Sequence, residues 1–196
     1  MQGRMEFGPR ALGARSILAD PRSSKMQSQL NLKVKYRENF RPFAPSILVE
    51  DMDEWFDNTE ISPYMLFVSK INEKKCYELS PDQKALDGFD KLKIERSPVP
   101  AITHVDYTAR VQTVHEQTNR NYYALHKKFK ELTGCPILVN TSFNVRGEPI
   151  VCSPADAFKC FMNTDMDLLA IGNFLLLKDK QEKSLKESYE YNYKLD

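Results

Sequence analysis

Two helix-to-strand junctions constrain this chain more than any other feature. Residues 121–132 carry Tyr122, Leu125, Phe129 and Leu132 at three- and four-residue steps, the period of one helical face. Gly134 supplies a C-terminal stop, Pro136 forbids continuation, and the apolar run 137–139 ends in Asn140. Residues 153–161 repeat the device. Ser153 stands at the N-cap, Pro154 at the first helical position and Asp156 in the first turn. Beyond it Leu168–Ile171 and Phe174–Leu177 flank Gly172 and Asn173, a hairpin signal. Strands alternating with helices, plus a hairpin, predict an α/β fold built on a mixed sheet.

The other segments are read more coarsely. Residues 11–17 are expected to form a short helix stopped by Pro21, and 24–35 a helix with Met26, Leu30 and Val34 on one face. Strands are expected at 46–49, 64–71, 101–105 and 109–114, with a helical turn or two at 51–56. Two prolines keep 40–45 out of a helix interior. Residues 72–97 are polar, with Asp87-Gly88 as a turn signal, and read as an insertion-like loop. Trp55 and Phe56 are assigned to the core. The charged tail from Lys178 is expected to fray.

At 196 residues and 41% hydrophobic composition the chain fits one ordinary globular domain. Its apolar runs fall far short of the roughly 20 residues that span a bilayer. Arg4, Glu6 and Arg10 interrupt the place of a signal-peptide core. The four cysteines form no C-x-x-C pair, so reduced thiols and a cytoplasmic setting are expected, with Cys135 structural and no metal site. His104 and Asp106 are spaced to share a strand face, but no third ligand accompanies them, and a hydrogen-bonded core histidine is the reading preferred. The 28 Lys+Arg nearly balance 27 Asp+Glu, which excludes a global pull towards nucleic acid. That balance hides a basic block from Arg4 to Arg41 followed by an acidic one from Glu50 to Glu60.

Three segments combine polar or cationic groups with turns. In the first, Arg10 and Arg15 sit among Gly8, Pro9 and Gly13, where glycines admit close backbone approach and arginines offer bidentate donors to phosphate. It lacks the ending of a phosphate-binding P-loop, so anion binding and an ordinary glycine–proline loop both remain open. In the second, Lys35 and Arg41 lie six residues apart ahead of Pro42 and Pro45. This suits a polyanion, or else surface pairing of Lys35 and Arg37 with Glu38. In the third, Asn140-Thr-Ser142-Phe-Asn144 follows a buried strand, at the strand end where α/β proteins bind ligands. A turn satisfying its own backbone is the alternative. Arg110, inside a strand run, requires either an edge position or an anion partner.

The stretches GRMEFGPRALGARSILADPR, VKYRENFRPFAPSIL, SPYMLFV, THVDYTARVQTV and PILVNTSFNVRGEPIV stand in an order that resembles the C-terminal domain of the O-carbamoyltransferases. This is the family of nodulation enzymes and of antibiotic-tailoring enzymes of the tobramycin and cephamycin types. The resemblance implies a YrdC-like fold over residues 1–178, a twisted mixed sheet with helices packed on it, followed by a tail at 179–196. It implies that ATP and carbamoyl phosphate are taken up, with Mg²⁺ as a companion ion, to make carbamoyladenylate. A separate metal-dependent, actin/Hsp70-like N-terminal domain would pass the carbamoyl group to an acceptor hydroxyl. Carried over by motif, Arg10, Lys35 and Arg41 would serve the chemistry, and Arg15, Arg110, Asn140 and Ser142 would join them in holding nucleotide or carbamoyl group. A nucleotide- or RNA-binding module without chemistry, or an inactive fragment, is the alternative. The chain departs from the family in starting at the first motif, without the strand that leads into Gly3 or the N-terminal domain. It departs also at Tyr107, where the family has glycine. A glycine there with positive φ would make tyrosine strained.

Overall fold

The computed structural model describes residues 1–57 and 60–182; the tail beyond them lies outside the described residues. The expected mixed α/β architecture is what the chain adopts. A four-stranded sheet has the order β1-β6-β2-β5, with β1 at Ser16–Ala19, β2 at Ala44–Leu48, β5 at Gln112–Val114 and β6 at Ile137–Ser142. The β1–β6 and β6–β2 pairs are antiparallel and β2–β5 is parallel. Two small antiparallel ribbons complete the strands: β3 (Val68–Lys70) with β4 (Thr108–Arg110), and β7 (Leu168–Ile171) with β8 (Phe174–Leu177).

Short helices α1 (Met26–Gln29), α2 (Met52–Trp55), α3 (Pro81–Lys84) and α4 (Gly88–Leu92) lie between the early strands. The two long helices, α5 (Arg120–Thr133) and α6 (Pro154–Asn163), are the two expected from sequence. Their ends explain their lengths. The Asn119 side chain accepts the Tyr122 N–H at 3.1 Å and Gly134 closes α5 at φ +73°. Ser153 and Asp156 form a capping box on α6. The main core lies on one face of the sheet, with Ile47, Val99, Ile102, Val111, Ile137, Val139 and Phe161 shut off from solvent, and a smaller cluster of Val114, Tyr122 and Leu138 packs under α5 on the other. Trp55 and Phe56 lie in it, as assigned.

Four local expectations are corrected. Residues 11–17 do not form a helix, because the Glu6 carboxylate takes the N–H groups of Leu12, Ala14 and Arg15 and Gly13 turns at φ +114°. Residues 101–105 are not a strand. Pro100 starts a 3₁₀ turn, Pro100–Ile102, and the chain then turns back at His104, whose N–H and carbonyl bond Thr108 and Tyr107. His104 and Asp106 therefore share a turn and not a strand face. Only Val68–Lys70 of the expected 64–71 strand is extended in a sheet; Tyr64, Leu66 and Phe67 are exposed. The 72–97 loop holds α3 and α4, the first capped by Ser80 and Gln83.

The α5 face against the sheet carries a buried polar chain. Tyr122 and Ser46 hydroxyls lie 2.5 Å apart, Ser46 Oγ is 3.0 Å from His126 Nε2, and His126 Nδ1 is 3.1 Å from the Pro136 carbonyl. A carbonyl only accepts, so Nδ1 carries the proton and Nε2 accepts from Ser46. Burial holds the His126 ring neutral, lowered to about 4 against the opposing carbonyl of Pro136. Because the folded value lies below the unfolded one of roughly 6.5, the unfolded chain binds the extra proton between them. Stability is expected to fall by about 2–3 kcal/mol as pH drops from neutral towards 4.5. Urea unfolding of wild type and His126→Gln at both pH values checks this. The variant should lose that part of the slope, and an identical slope in both overturns the assignment.

Candidate functional site

The loop from Met1 to Arg15 is built around one carboxylate. Glu6 Oε1 accepts the backbone N–H groups of Leu12 (2.9 Å), Ala14 (2.8 Å) and Arg15 (3.1 Å), and Oε2 accepts Arg15 Nε at 2.9 Å. The remaining guanidinium nitrogens of Arg15 reach the carbonyls of Glu6 and Val151. Both side chains of this pair are over nine-tenths shielded. Burial works to raise the Glu6 carboxyl, and the donors from Leu12 and Arg15 outweigh it, leaving it below the ordinary range. Arg15, carried over as a nucleotide contact, is thus fully engaged within the protein. Gly13 lies directly on the Tyr122 ring: an added Cβ would fall 2.4 Å from Cδ1, so only glycine allows this approach.

The loop is tied to the sheet by amides. Asn140 Nδ2 donates to the Ala11 carbonyl (3.2 Å) and to Gln112 Oε1 (2.6 Å), and Gln112 Nε2 donates to the Leu12 carbonyl (2.9 Å). This brings Arg10, next to Ala11, towards Arg110, two residues before Gln112. Burial lowers the Arg110 guanidinium, and the positive charge of Arg10 lowers it further. Each arginine has a buried Nε without a hydrogen-bond partner, and buried Asn140 Oδ1 is likewise unpartnered. Neither arginine has a carboxylate partner among the described residues. Arg110 lies in the β3–β4 ribbon opposite Val68, with Nη2 4.0 Å from Met65 Sδ. Burial lowers the half-buried His104 too; nearby Asp106 opposes that and Arg110 adds to it. Two guanidinium groups near enough to feel each other's charge, without an ion-pair partner among the described residues and partly desolvated, have the donors to receive an anion.

A second cluster gathers at Ser142, two residues beyond Asn140 at the end of β6. Lys35 is buried, and its Nζ lies 2.7 Å from the Ser142 carbonyl, 3.3 Å from Ser142 Oγ, 2.9 Å from the Asn144 carbonyl and 2.6 Å from Asn144 Oδ1. Burial and the neighbouring Arg37 push its ammonium down to about 7, with Cys160 acting in the opposite sense. A π-helical turn, Leu30–Val34, sets Lys35 in place, its own N–H bonding the Leu30 carbonyl. Around it Arg41 Nε and Arg146 Nη1 face Glu38 at 3.3 and 3.7 Å, while Arg37 bonds Asn31 Oδ1 and lies over the Phe43 ring. The Glu38 carboxyl is held low by its own backbone N–H and by Arg41, Arg146 and Arg37.

The structure therefore brings Arg10, Arg110 and Asn140 together at one point, and Lys35 and Ser142 at another, both on β6 and the turn after it. Arg41 stands beside the second group on the surface. Four residues here have no such role in the sequence reading: Glu6, Gln112, Arg146 and Arg37, the last considered only for surface pairing with Glu38. Glu6 counted only as one anion among many cations, and nothing local marks a carboxylate that will bind three backbone N–H groups.

Comparison with known proteins decides the family. Residues 1–178 match the family described as Carbamoyltransferase C-terminus. The chain belongs to it. It is 56% identical over 196 residues to an uncharacterised protein of Synechocystis, covering all of this chain and 32% of that protein. It is 48% identical over 181 residues to nodulation protein NolO of Bradyrhizobium diazoefficiens, covering 91% of this chain and 29% of that one. To the 3'-hydroxymethylcephem-O-carbamoyltransferase of Amycolatopsis lactamdurans it is 36% identical over 156 residues, covering 80% of this chain and 26% of the enzyme. The chain thus spans about a third or less of the length of these relatives. Among the described residues no helix is long and apolar enough to cross a membrane.

Proposed function

We propose that this chain is the part of an O-carbamoyltransferase that binds ATP and carbamoyl phosphate and forms carbamoyladenylate, which a separate N-terminal domain then uses on an acceptor hydroxyl. The observation that carries this reading is the Arg10–Arg110 pair, two cations from distant segments whose buried Nε–H groups have no hydrogen-bond partner among the described residues. Such a pair is unfavourable alone and favourable around phosphate oxygens. Asn140 Oδ1, unpartnered beside it, is an acceptor for the N–H₂ of a carbamoyl group. In the reaction a carbamate oxygen bonds to the α-phosphorus as the bond to pyrophosphate breaks, while water takes the phosphoryl group of carbamoyl phosphate as inorganic phosphate. This chemistry asks for positioning and charge neutralisation more than for a protein nucleophile. The clusters offer cations and amides, while Glu6 is taken up by Arg15 and backbone N–H groups and Glu38 faces Arg41 and Arg146, so Mg²⁺ would arrive on the phosphates of the nucleotide.

Calorimetry with ATP, carbamoyl phosphate and Mg²⁺ tests this. Arg10→Ala and Arg110→Ala are each expected to weaken ATP binding by about 10–100-fold, the loss of one charge-assisted contact. Neither should lower the melting temperature, since each removes a like-charge repulsion and an unpaired donor. No ATP binding at millimolar concentration removes the reading. Binding of RNA with a steep salt dependence and no preference for ATP would replace it.

A further inference from the structure

The β7–β8 hairpin is apolar on both faces. Leu168 lies opposite Leu177, Leu169 opposite Leu176, Ala170 opposite Leu175 and Ile171 opposite Phe174. Opposed residues share a face, and successive pairs alternate. Leu169, Leu176, Ile171 and Phe174 therefore make one face; with Pro154 and Phe158 of α6, and with Leu175 at the rim, they line an open apolar cleft of about 370 Å³ in which Phe174 stays 75% exposed. Leu168, Ala170, Leu175 and Leu177 make the other. All four are exposed, Leu175 by 65%. The outer face of a hairpin that meets water alternates to polar residues; this one carries none. A contiguous apolar face of this kind marks an interaction surface.

The structure also shows what lies beside that face. The Met1 ammonium donates to the Ala170 carbonyl at 2.5 Å and Gly172 N–H donates to the Met1 carbonyl at 3.2 Å. This is the bonding of a parallel pair, with Met1 against Ile171 on the free edge of β7. Gln2 Nε2 adds a bond to the Gly172 carbonyl at 3.0 Å. The relatives extend to three or four times the matched length, and the matched part is the C-terminus of the family. Polypeptide that precedes the matched part in those relatives would therefore enter along β7, next to the exposed leucines.

We infer that the Leu168–Ala170–Leu175–Leu177 face is the docking surface for the N-terminal portion that the longer carbamoyltransferases carry. The partner surface is apolar, since this face offers no charge to pair and no side-chain donor to satisfy. The inference rests on the family and on the hairpin. It is independent of the nucleotide reading, because a chain blind to ATP can still dock and a chain that binds ATP can fail to.

The test joins this chain behind the part of the Synechocystis relative that precedes its matching segment, and compares amide hydrogen exchange in the fusion and in the free chain. Amides of Leu168–Leu177 are expected to slow by about tenfold or more in the fusion. L175D combined with L177D should abolish the slowing while leaving the melting temperature of the free chain unchanged. Equal exchange in both proteins overturns the inference. So does a free chain that sediments as a dimer with a protected hairpin, which would make a second copy the occupant. If the fusion precipitates, the two pieces are expressed side by side. Co-purification with the wild-type chain and not with the double variant supports the docking surface, and co-purification with both or with neither overturns it.

Discussion

Glu6→Ala is expected to lower the unfolding free energy by about 3–5 kcal/mol, the cost of leaving one member of a buried ion pair alone. The remaining Arg15 would sit almost fully shielded with its Nε facing nothing. Three backbone N–H groups, on Leu12, Ala14 and Arg15, would lose their acceptor as well. This makes the residue more than half of a salt bridge, and a double-mutant cycle shows the difference. Arg15→Met should cost less than Glu6→Ala, because the carboxylate keeps its backbone donors. The double variant should remain well below wild type, since no apolar pair can satisfy those three N–H groups. A double variant as stable as wild type would show that only the ion pair mattered. The sign with pH is set by the lowered carboxyl. Its contribution is complete above the ordinary glutamate range and is lost as pH falls through the lower folded value. Arg10 stands on this loop, so the same variant is expected to weaken ATP binding in parallel.

What could be read in the sequence and what could not divides along the range of the interactions. The ends of α5 and α6 are set within four residues, by Asn119, Gly134, Ser153 and Asp156, and such signals survive without knowledge of the fold. The hairpin at Gly172 is equally local, but the strand expected to end at Asn140 runs on to Ser142, because β1 pairs with those residues, a long-range contact. Residues 11–17 look helical until a carboxylate five residues upstream takes their N–H groups, a contact that no periodicity announces. Residues 64–67 have the composition of a strand, yet they loop over Arg110 with Met65 at φ +56°. At Tyr107 the comparison with a family glycine foretells the geometry. Its φ is +63°, a left-handed conformation that stores strain of order 1–3 kcal/mol in a residue with a side chain. The cations of the candidate site were visible one by one. Their division into an Arg10–Arg110 pair near Asn140 and a Lys35 cluster at Ser142 depends on long-range contacts that exist only once the β1-β6-β2-β5 sheet has formed.

Lys35→Met is expected to cost about 3 kcal/mol, and to do so by loosening one turn. The methionine keeps the stem in the buried slot and removes every donor. The carbonyls of Ser142 and Asn144 and the Asn144 amide oxygen then lose the group on which they converge. Asn144 still has its Nδ2 bond to the Glu148 carbonyl and Ser142 Oγ its bond to Asn144 Oδ1, so the turn should survive in a weakened form. Lys35→Arg should not restore it, because a planar fork cannot aim donors at oxygens gathered around a single nitrogen. Arg41→Ala, at an exposed side chain paired only at the surface, should change stability by less than about 0.5 kcal/mol and serves as the control. Urea unfolding gives the energies, and amide exchange across residues 142–148 shows where the loosening falls. A methionine variant as stable as wild type, with unchanged exchange, would mean that the lysine does not pin this turn. If the turn forms one wall of the nucleotide site, ATP should stabilise wild type far more than Lys35→Met. A lysine that met only the ligand would cost affinity without stability, and one that met only the turn would cost stability without affinity.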